Sequence, residues 1–415
     1  MKRLIKTRTL KTMTRSMCEI RVHAKRNSWF GILIWSIGAL APHAATPQVV
    51  VGAERLDAYL PLMKGKQVAL VVNHSSLVGN THLVDTLAAS GVCIARIFAP
   101  EHGFRGDAPD GEQIIDGADA RTGAPIVSLY GRKRRPEPED LTGADLVVFD
   151  IQDVGTRFYT YISTLYYLLQ ACGENRIPIL VLDRPNPNGH YVDGPVLDMR
   201  LSSFVGIAPL PIVHGCTVGE LARLFTAEHW TGPEQVDLTV IPCQNYTHST
   251  YYAVRVAPSP NLPNQLSVLL YPSLCLFEGT SVSIGRGTDA PFQMAGHPDF
   301  PDTTAFSFTP MPNAASRFPP QEGVRCWGYD YRNLSTDSLF RQARIDLRPV
   351  LDFYCELPDK AHFFLETRYF ERLAGTYSLW PQIEEGNFES DIRASWQPDL
   401  NCFREIRKKY LLYPE

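Results

Sequence analysis

The chain has 415 residues, of which 44% are hydrophobic, 20% charged and 11% aromatic. That composition provides enough apolar side chains for a large core, so it excludes a disordered protein. The formal net charge of -4 gives no overall attraction to nucleic acid or to an acidic membrane, and we expect neither as a partner.

The first 45 residues have the pattern of an export signal. Residues 1–27 are rich in Lys and Arg and contain one acid, Glu19, and residues 29–41 (WFGILIWSIGALA) are apolar. Small residues follow, up to a predicted cleavage point near Ala45. The apolar run is too short to span a bilayer comfortably. We therefore expect a periplasmic or secreted protein that meets the membrane only through its signal.

The next part of the chain alternates short apolar runs with helical stretches. The runs lie at residues 67–72, 92–98, 126–129, 146–149 and 179–182, with helical patterns between several of them. Continuous apolar runs of this length are typical of parallel strands that are covered on both faces. This part of the sequence predicts an α/β fold with a parallel sheet.

Further along, a helix is predicted over residues 217–228, where Thr217 and Glu220 have the spacing of a capping box. Another strand is predicted at 236–242, and residues 257–320 are rich in Pro and Gly. Helices and strands return after that stretch. We predict a second, smaller α/β domain that begins near residue 300.

Polar residues follow the predicted strands where each strand ends. Open parallel sheets bind ligands beyond the carboxyl ends of their strands, so these side chains are expected to converge on one edge. They are Asn73, His74, Glu101, His102, Asp150, Asp153, Asp183, Arg184 and Asn186.

Glu101 is the strongest candidate among them. Pro100 stiffens the turn that carries it, and Gly103 can adopt backbone angles that other residues avoid. A carboxylate presented in this way can act as an acid or a base, and His102 can tune its acidity or bind substrate. The alternative is a loop glutamate that pairs with Arg105 or caps a helix.

Asp150 and Asp153 are followed by Arg157 and Tyr159, a combination that suits a sugar site. Carboxylates accept hydrogen bonds from hydroxyls, aromatic faces stack on rings, and arginine binds anionic substituents. The alternative, equally supported, is that Asp150 caps the next helix and Arg157 neutralises it.

Asn186, between two prolines, lies in a rigid loop that we interpret as a binding loop.

Several other classes of site have no support in the sequence. The stretch around Arg286 (GRGT) lacks the phosphate-loop pattern, no G-x-G-x-x-G follows the first strand, and no G-x-S-x-G is present. The histidines are scattered singly, so we predict neither a metal nor a cofactor. The cysteines are widely spaced and mostly flanked by apolar residues, which favours buried free thiols.

Seven motifs resemble one bacterial family across residues 49–415. They are FAPEHGFRGD, VVFDIQDVGTRFYTYIST, LVLDRPNPNG, PIVHGCTVGELA, PSPNLP, YPSLCLFEGTSVSIGRGT and RKKYLLY. The family, formerly a domain of unknown function, is that of the exo-β-N-acetylmuramidases. The resemblance implies a Rossmann-like catalytic domain over residues 46–300, a smaller C-terminal α/β domain over 301–415, and a cleft between them. It also implies release of N-acetylmuramic acid from the non-reducing end of peptidoglycan fragments.

The family's suspected catalytic glutamate corresponds to Glu101, which we expect to be the general acid, with His102 adjusting its acidity. Asp150 or Asp153 would activate water or support the 2-acetamido group, and Arg157 or Arg286 would pair with the lactyl carboxylate of muramic acid. The other acids and arginines of the family's motifs match Asp183, Arg184 and Glu278. The alternatives are a hydrolase of another amino sugar, such as a glucosaminidase, and a non-catalytic binder of cell-wall fragments.

Overall fold

The fold is seen in a computed structural model that describes residues 48–101, 103–104, 117–301 and 306–415. The expected export signal over residues 1–45 and the candidate His102 lie outside the described residues. Across these ranges, no helix has both the length and the apolar character that a membrane span requires.

The described strands are β1 (Gln67–Val72), β2 (Leu77–Val78), β3 (Thr81–His82), β4 (Cys93–Ala99), β5 (Gly117–Ala118), β6 (Pro125–Ser128), β7 (Leu146–Asp150), β8 (Ile179–Leu182), β9 (Asp193–Val196), β10 (Pro211–Val213), β11 (Leu238–Ile241), β12 (Met294–His297), β13 (Ser307–Phe308) and β14 (Cys326–Asp330). The described α-helices are α1 (Leu56–Met63), α2 (Leu83–Ala89), α3 (Pro138–Leu141), α4 (Tyr161–Asn175), α5 (Val218–Ala227), α6 (Gln265–Leu274), α7 (Thr336–Gln342), α8 (Arg348–Glu356), α9 (Tyr369–Ala374), α10 (Leu379–Glu384) and α11 (Glu389–Lys408).

The central sheet has seven strands in the order β11-β8-β7-β1-β4-β6-β5. All neighbouring pairs are parallel except β5 and β6. The chain builds outward from β1 through β4 and β6, then returns to the other side of β1 with β7, β8 and β11. This is the doubly wound strand order of a Rossmann-like sheet. The direction in which successive strands are added reverses between β1 and β7. The predicted α/β class is confirmed.

The sheet forms where the apolar runs predicted it. β1 and β8 have the predicted bounds, whereas β4 covers residues 93–99 instead of 92–98. Successive side chains of a strand point to opposite faces, and both faces are covered here. In β1, Ala69 and Val71 pack in one buried cluster, and Val68 and Leu70 pack in another.

Helix α5 begins as its sequence predicts. Thr217 is the N-cap residue, and its hydroxyl accepts a hydrogen bond from the amide of Glu220. The carboxylate of Glu220 in turn accepts one from the amide of Thr217, at 2.9 Å. This reciprocal pair satisfies amides that the first turn of a helix leaves without partners.

The later part of the chain contains a second sheet. β12, β14 and β13 form an antiparallel sheet in that order, and helices α7 to α11 follow or flank it. The predicted boundary near residue 300 between two domains stays a prediction.

The last residues of the chain bind back onto the first sheet. The hydroxyl of Tyr413 donates to Asp183 Oδ2 at 2.5 Å and accepts from the amide of Cys243 at 2.8 Å. The amide of Leu412 donates to Glu220 Oε1 at 2.8 Å. The C-terminal segment is therefore part of the structure around β8 and α5.

Candidate active site

A cleft of about 840 Å³ lies beside the carboxyl end of β4, and we call it the main cleft. Its charged lining residues are Glu101, Arg134, Glu278, Arg286 and Arg372. Its aromatic lining residues are Tyr130, Phe158, Tyr159, Phe204, Tyr271, Phe277, Phe292, Phe318 and Tyr369. Aromatic faces with a few polar groups are what a sugar-binding cleft requires.

Glu101 enters the main cleft from a tight turn after β4. The amide of Gly103 donates to the carbonyl of Pro100 at 3.0 Å, and Gly103 has a φ of 78°, which a residue with a side chain rarely adopts. The hydroxyl of Thr160 donates to Glu101 Oε2 at 2.8 Å. Since Thr160 is the N-cap residue of α4, the carboxylate lies at the positive end of that helix.

Tyr159 lines the same wall as Glu101. Its hydroxyl donates to the carbonyl of Pro258 at 2.8 Å, and its ring packs edge-on against Tyr161 and Tyr271. Burial, followed by the neighbouring Tyr161, raises the pKa of Tyr159 well above its usual value. The residue therefore stays neutral and gives the cleft an aromatic surface.

Glu278 and Arg286 form an ion pair on the cleft wall. Glu278 belongs to a 3-10 helix, Cys275–Gly279, and Arg286 follows in a loop between two glycines with positive φ. The Nε and Nη2 atoms of Arg286 lie 2.7 and 2.6 Å from Glu278 Oε1. Of the site residues predicted from the sequence, four line the main cleft together: Glu101, Tyr159, Glu278 and Arg286.

Asp150 and Arg184 do not line the main cleft. Asp150 is fully buried at the end of β7, where Arg184 Nε and Nη2 donate to its two carboxylate oxygens at 2.5 and 2.9 Å. Both oxygens of Asp150 are engaged in this bidentate pair, a strong geometry that holds two strand ends together. The arrangement favours a structural role for both residues.

Asp153 is also buried away from the cleft lining. Its Oδ2 accepts a hydrogen bond of 2.6 Å from the amide of Gly155, while its Oδ1 has no partner among the described residues. Burial raises the pKa of Asp153 to about 7, although the amides of Gly155 and Val154 act in the opposite direction. The carboxyl group therefore titrates near neutral pH.

Arg157 is fully buried and clamps three backbone segments. Its Nη1 donates to the carbonyls of Pro195 at 2.9 Å and Leu210 at 2.8 Å, and its Nη2 donates to that of Leu373 at 2.7 Å. Burial lowers the pKa of Arg157 to about 9. The two Nη atoms are thus engaged by backbone carbonyls, while Nε has no partner among the described residues. Arg157 is fully buried and does not line the main cleft.

Asp183 and Asn186 organise the loop after β8. Asp183 accepts from the hydroxyl of Thr217 at 2.7 Å and from the amide of Gly219 at 2.8 Å, in addition to Tyr413. Asn186 donates to the carbonyl of Cys216 at 2.8 Å. These contacts stiffen the carboxyl edge of the sheet, and neither residue lines the main cleft.

Asn73 and His74, after β1, are likewise engaged with the backbone and with neighbouring side chains. Asn73 Oδ1 accepts from the amide and the hydroxyl of Ser75, at 2.9 and 2.6 Å. His74 Nε2 lies 2.7 Å from the carbonyl of Ala257. Both residues lie outside the cleft lining.

Sequence reasoning missed Arg134 and Arg372, which both line the main cleft. Arg134 lies in a run of basic residues after β6, and Arg372 lies in the short helix α9. A strongly charged stretch is normally solvated surface, so no local signal distinguishes these two arginines.

The described part of the chain contains no cluster of three or more His, Cys, Asp or Glu side chains suited to a metal ion. All eight cysteines within the described ranges are free. Five of them are buried, as the flanking apolar residues predicted, and these are Cys172, Cys216, Cys243, Cys275 and Cys326.

The α/β fold is similar to two solved structures of DUF1343 family proteins. A crystal structure of a DUF1343 family protein from Bacteroides fragilis is 45% identical, with a TM-score of 0.82, over 89% of this chain and 100% of that one. A second DUF1343 protein from the same organism is 27% identical, with a TM-score of 0.74, over 88% of this chain and 100% of that one.

Two family models assign the chain to a family with a named activity. The N-terminal and C-terminal models of exo-beta-N-acetylmuramidase NamZ match residues 68–266 and 269–413, so the chain belongs to this family of glycoside hydrolases. It is 37% identical over 396 residues to the peptidoglycan beta-N-acetylmuramidase NamZ of Bacillus subtilis strain 168, covering 89% of this chain and 92% of that relative. The resemblance found in the motifs is confirmed.

Proposed function

We propose that the protein is an exo-acting β-N-acetylmuramidase that releases N-acetylmuramic acid from the non-reducing end of peptidoglycan fragments. Family membership and the Bacillus subtilis relative support this substrate class. The observation that carries the proposal is the placement of Glu101, a carboxylate on the wall of an aromatic-lined cleft at the carboxyl edge of the sheet.

Glu101 is the general acid in this proposal. Thr160 fixes one carboxylate oxygen, Oε2, and Oε1 accepts no hydrogen bond from any residue in the described ranges. The second oxygen is therefore available to protonate the glycosidic oxygen of a bound saccharide. Protonation of the leaving group by a carboxylic acid is the step that glycoside hydrolases of most kinds share.

Glu278 takes the second carboxylate position in the proposed mechanism. Sequence patterns left Asp150 and Asp153 as equal candidates, but Glu278 lines the main cleft and they do not. Glu101, Glu278 and Tyr369 all line this cleft, and burial, followed by the charge of Glu278, raises the pKa of Tyr369. Glu278 would activate water or support the 2-acetamido group of the substrate.

The test is the hydrolysis of a MurNAc-GlcNAc disaccharide by Glu101→Gln, with release of free muramic acid as the measurement. We expect the variant to lose turnover by roughly 1,000-fold or more, because the amide cannot donate the proton, and to keep the wild-type unfolding temperature. The matched control is Glu384→Gln, an exposed glutamate of α10 away from the cleft.

Three outcomes would contradict the proposal. Turnover by Glu101→Gln at the wild-type rate would remove Glu101 from the mechanism. Faster hydrolysis of a β-N-acetylglucosaminide than of the muramide would indicate a hydrolase of another amino sugar. Binding of the disaccharide without any product from the wild-type protein would indicate a non-catalytic binder.

We also propose that the enzyme acts in the periplasm or outside the cell. The basic start and the apolar run at residues 29–41 support export. N-terminal sequencing of protein from the periplasmic or extracellular fraction is expected to begin near Ala45. A cytoplasmic protein that keeps the first 45 residues would overturn this part of the proposal.

A further inference from the structure

The charges on the walls of the main cleft do not balance locally. Arg286 and Glu278 form an ion pair and compensate each other. Glu101 is held by a neutral hydroxyl, that of Thr160. Arg134 and Arg372 remain as lining cations, and neither has a carboxylate within ion-pair distance among the described residues. When Glu101 carries the proton of a general acid, the described lining has an excess of two positive charges.

Arg134 is oriented by an aromatic ring. Its guanidinium lies over the ring of Phe204, 4.6 Å from the centroid, and Phe204 in turn stacks on Tyr167 at 6.4 Å. Stacking of this kind uses the face of the guanidinium and leaves its N–H groups, which lie in the plane, for other partners. Arg134 is thus fixed in direction, and its hydrogen-bond donors are available.

Arg372 projects from an anchored helix. The next residue, Leu373, accepts a hydrogen bond from the buried Arg157, and the preceding Glu371 is paired with Arg368. Gly375, just after α9, has a φ of 77°, and its contact with the Arg157 guanidinium leaves no space for a Cβ atom. The backbone of Arg372 is fixed while its exposed side chain stays available to the cleft.

We propose that Arg134 and Arg372 together bind the lactyl carboxylate of the muramic acid unit. The inference rests on the proposed function, which supplies a substrate that carries this carboxylate beside the sugar ring. Arginine is the side chain best suited to a carboxylate, because its planar N–H groups match the two oxygens. The two cations would thus select muramic acid over glucosamine, which lacks the lactyl group.

The two arginines expected from sequence are less suited to this role. Arg157 is fully buried and donates to three carbonyls. Arg286 already has a carboxylate partner in Glu278. A substrate carboxylate would have to displace that partner, whereas Arg134 and Arg372 require no such exchange.

The experiment compares Arg134→Gln, Arg372→Gln and the double variant on two chromogenic β-N-acetylmuramides. One substrate has the free lactyl carboxylate, and the other has it converted to the neutral methylamide. The matched control is Arg132→Gln, an exposed arginine two residues from Arg134 that does not line the cleft. Because all three arginines are exposed, we expect every variant to keep the wild-type unfolding temperature.

We expect each single variant to lose kcat/KM on the free acid by roughly tenfold or more, mainly through KM, with a larger loss in the double variant. On the methylamide, the same variants should stay within about twofold of the wild type, because no charge is left to recognise. Equal losses on both substrates, or no loss on the acid, would overturn the inference.

A binding measurement separates this inference from the proposed function. Calorimetric titration with free N-acetylmuramic acid and with N-acetylglucosamine reports recognition without turnover. If the wild-type protein hydrolyses neither muramide, the proposed function fails. Weaker binding of N-acetylmuramic acid by the two variants would still support the assignment of the arginines, and unchanged binding would refute it.

Discussion

Thr160 donates a 2.8 Å hydrogen bond from its hydroxyl to Oε2 of Glu101 and so links the cleft carboxylate to the first turn of α4. The two residues are 59 positions apart in the chain. They meet because β4 and the loop after β7 end at the same edge of the sheet. The contact leaves Glu101 with one oxygen held and one oxygen available.

Replacing Thr160 by valine removes this hydrogen bond at nearly constant volume. We expect kcat/KM on a β-N-acetylmuramide to fall by about tenfold, because the carboxyl group of Glu101 loses the hydrogen bond that orients it. Kinetics of the variant and of Thr226→Val provide the comparison, since Thr226 bonds to the backbone in α5, away from the cleft. A Thr160→Val enzyme with wild-type kinetics would show that Glu101 is oriented by other contacts.

Asp153 makes the stability of the protein depend on pH. Burial raises its pKa from 3.8 to about 7, so between these values the folded protein retains a proton that the unfolded chain releases. The stability contributed by this group is complete below pH about 4 and is lost as pH rises through 7. Asp153→Asn cannot titrate, so its stability relative to wild type should increase by a few kcal/mol over this range.

Urea unfolding of both proteins at several pH values from 4 to about 8 measures this difference. The matched control is Asp145→Asn, because Asp145 also accepts a backbone amide but is exposed. A constant difference between Asp153→Asn and wild type across the whole range would mean that Asp153 is ionised in the folded protein.

Arg157 should contribute strongly to stability although it carries a charge in the core. Arg157→Met removes a donor from the carbonyls of Pro195, Leu210 and Leu373, of which Leu210 still accepts from the amide of Leu197. We expect a loss of about 3 kcal/mol or more in the free energy of unfolding. Chemical denaturation measures it. Arg200→Met, at an exposed arginine paired with Asp198, should leave the midpoint unchanged. Equal midpoints for the two variants would exclude the proposed clamp.

The sheet was predictable because its strands are buried on both faces. Such strands must be continuous apolar runs, and the run at residues 67–72 became β1 with the same bounds. Glu101 was predictable for a related reason. A polar residue directly after a strand lies at the carboxyl edge, and the turn at Pro100 and Gly103 presents it there.

The same rule could not tell Glu101 from the other strand-end acids. Asp150 and Asp183 also follow apolar runs. However, Arg184 pairs with Asp150, and the hydroxyl of Tyr413, 230 positions further along, donates to Asp183. Whether a strand-end carboxylate faces a cleft therefore depends on partners that no local pattern reveals. Arg134 and Arg372 are the converse case, since they lie in ordinary charged stretches and reach the cleft only through the fold.

The bond from Tyr413 to Asp183 also bears on how the protein is made. Asp183, Cys243 and Glu220 all receive partners from residues 412–413. Because a chain is synthesised from its N-terminus, these three residues leave the ribosome well before the segment that satisfies them. The sheet edge near β8 therefore gains these hydrogen bonds late, only after synthesis has passed residue 413.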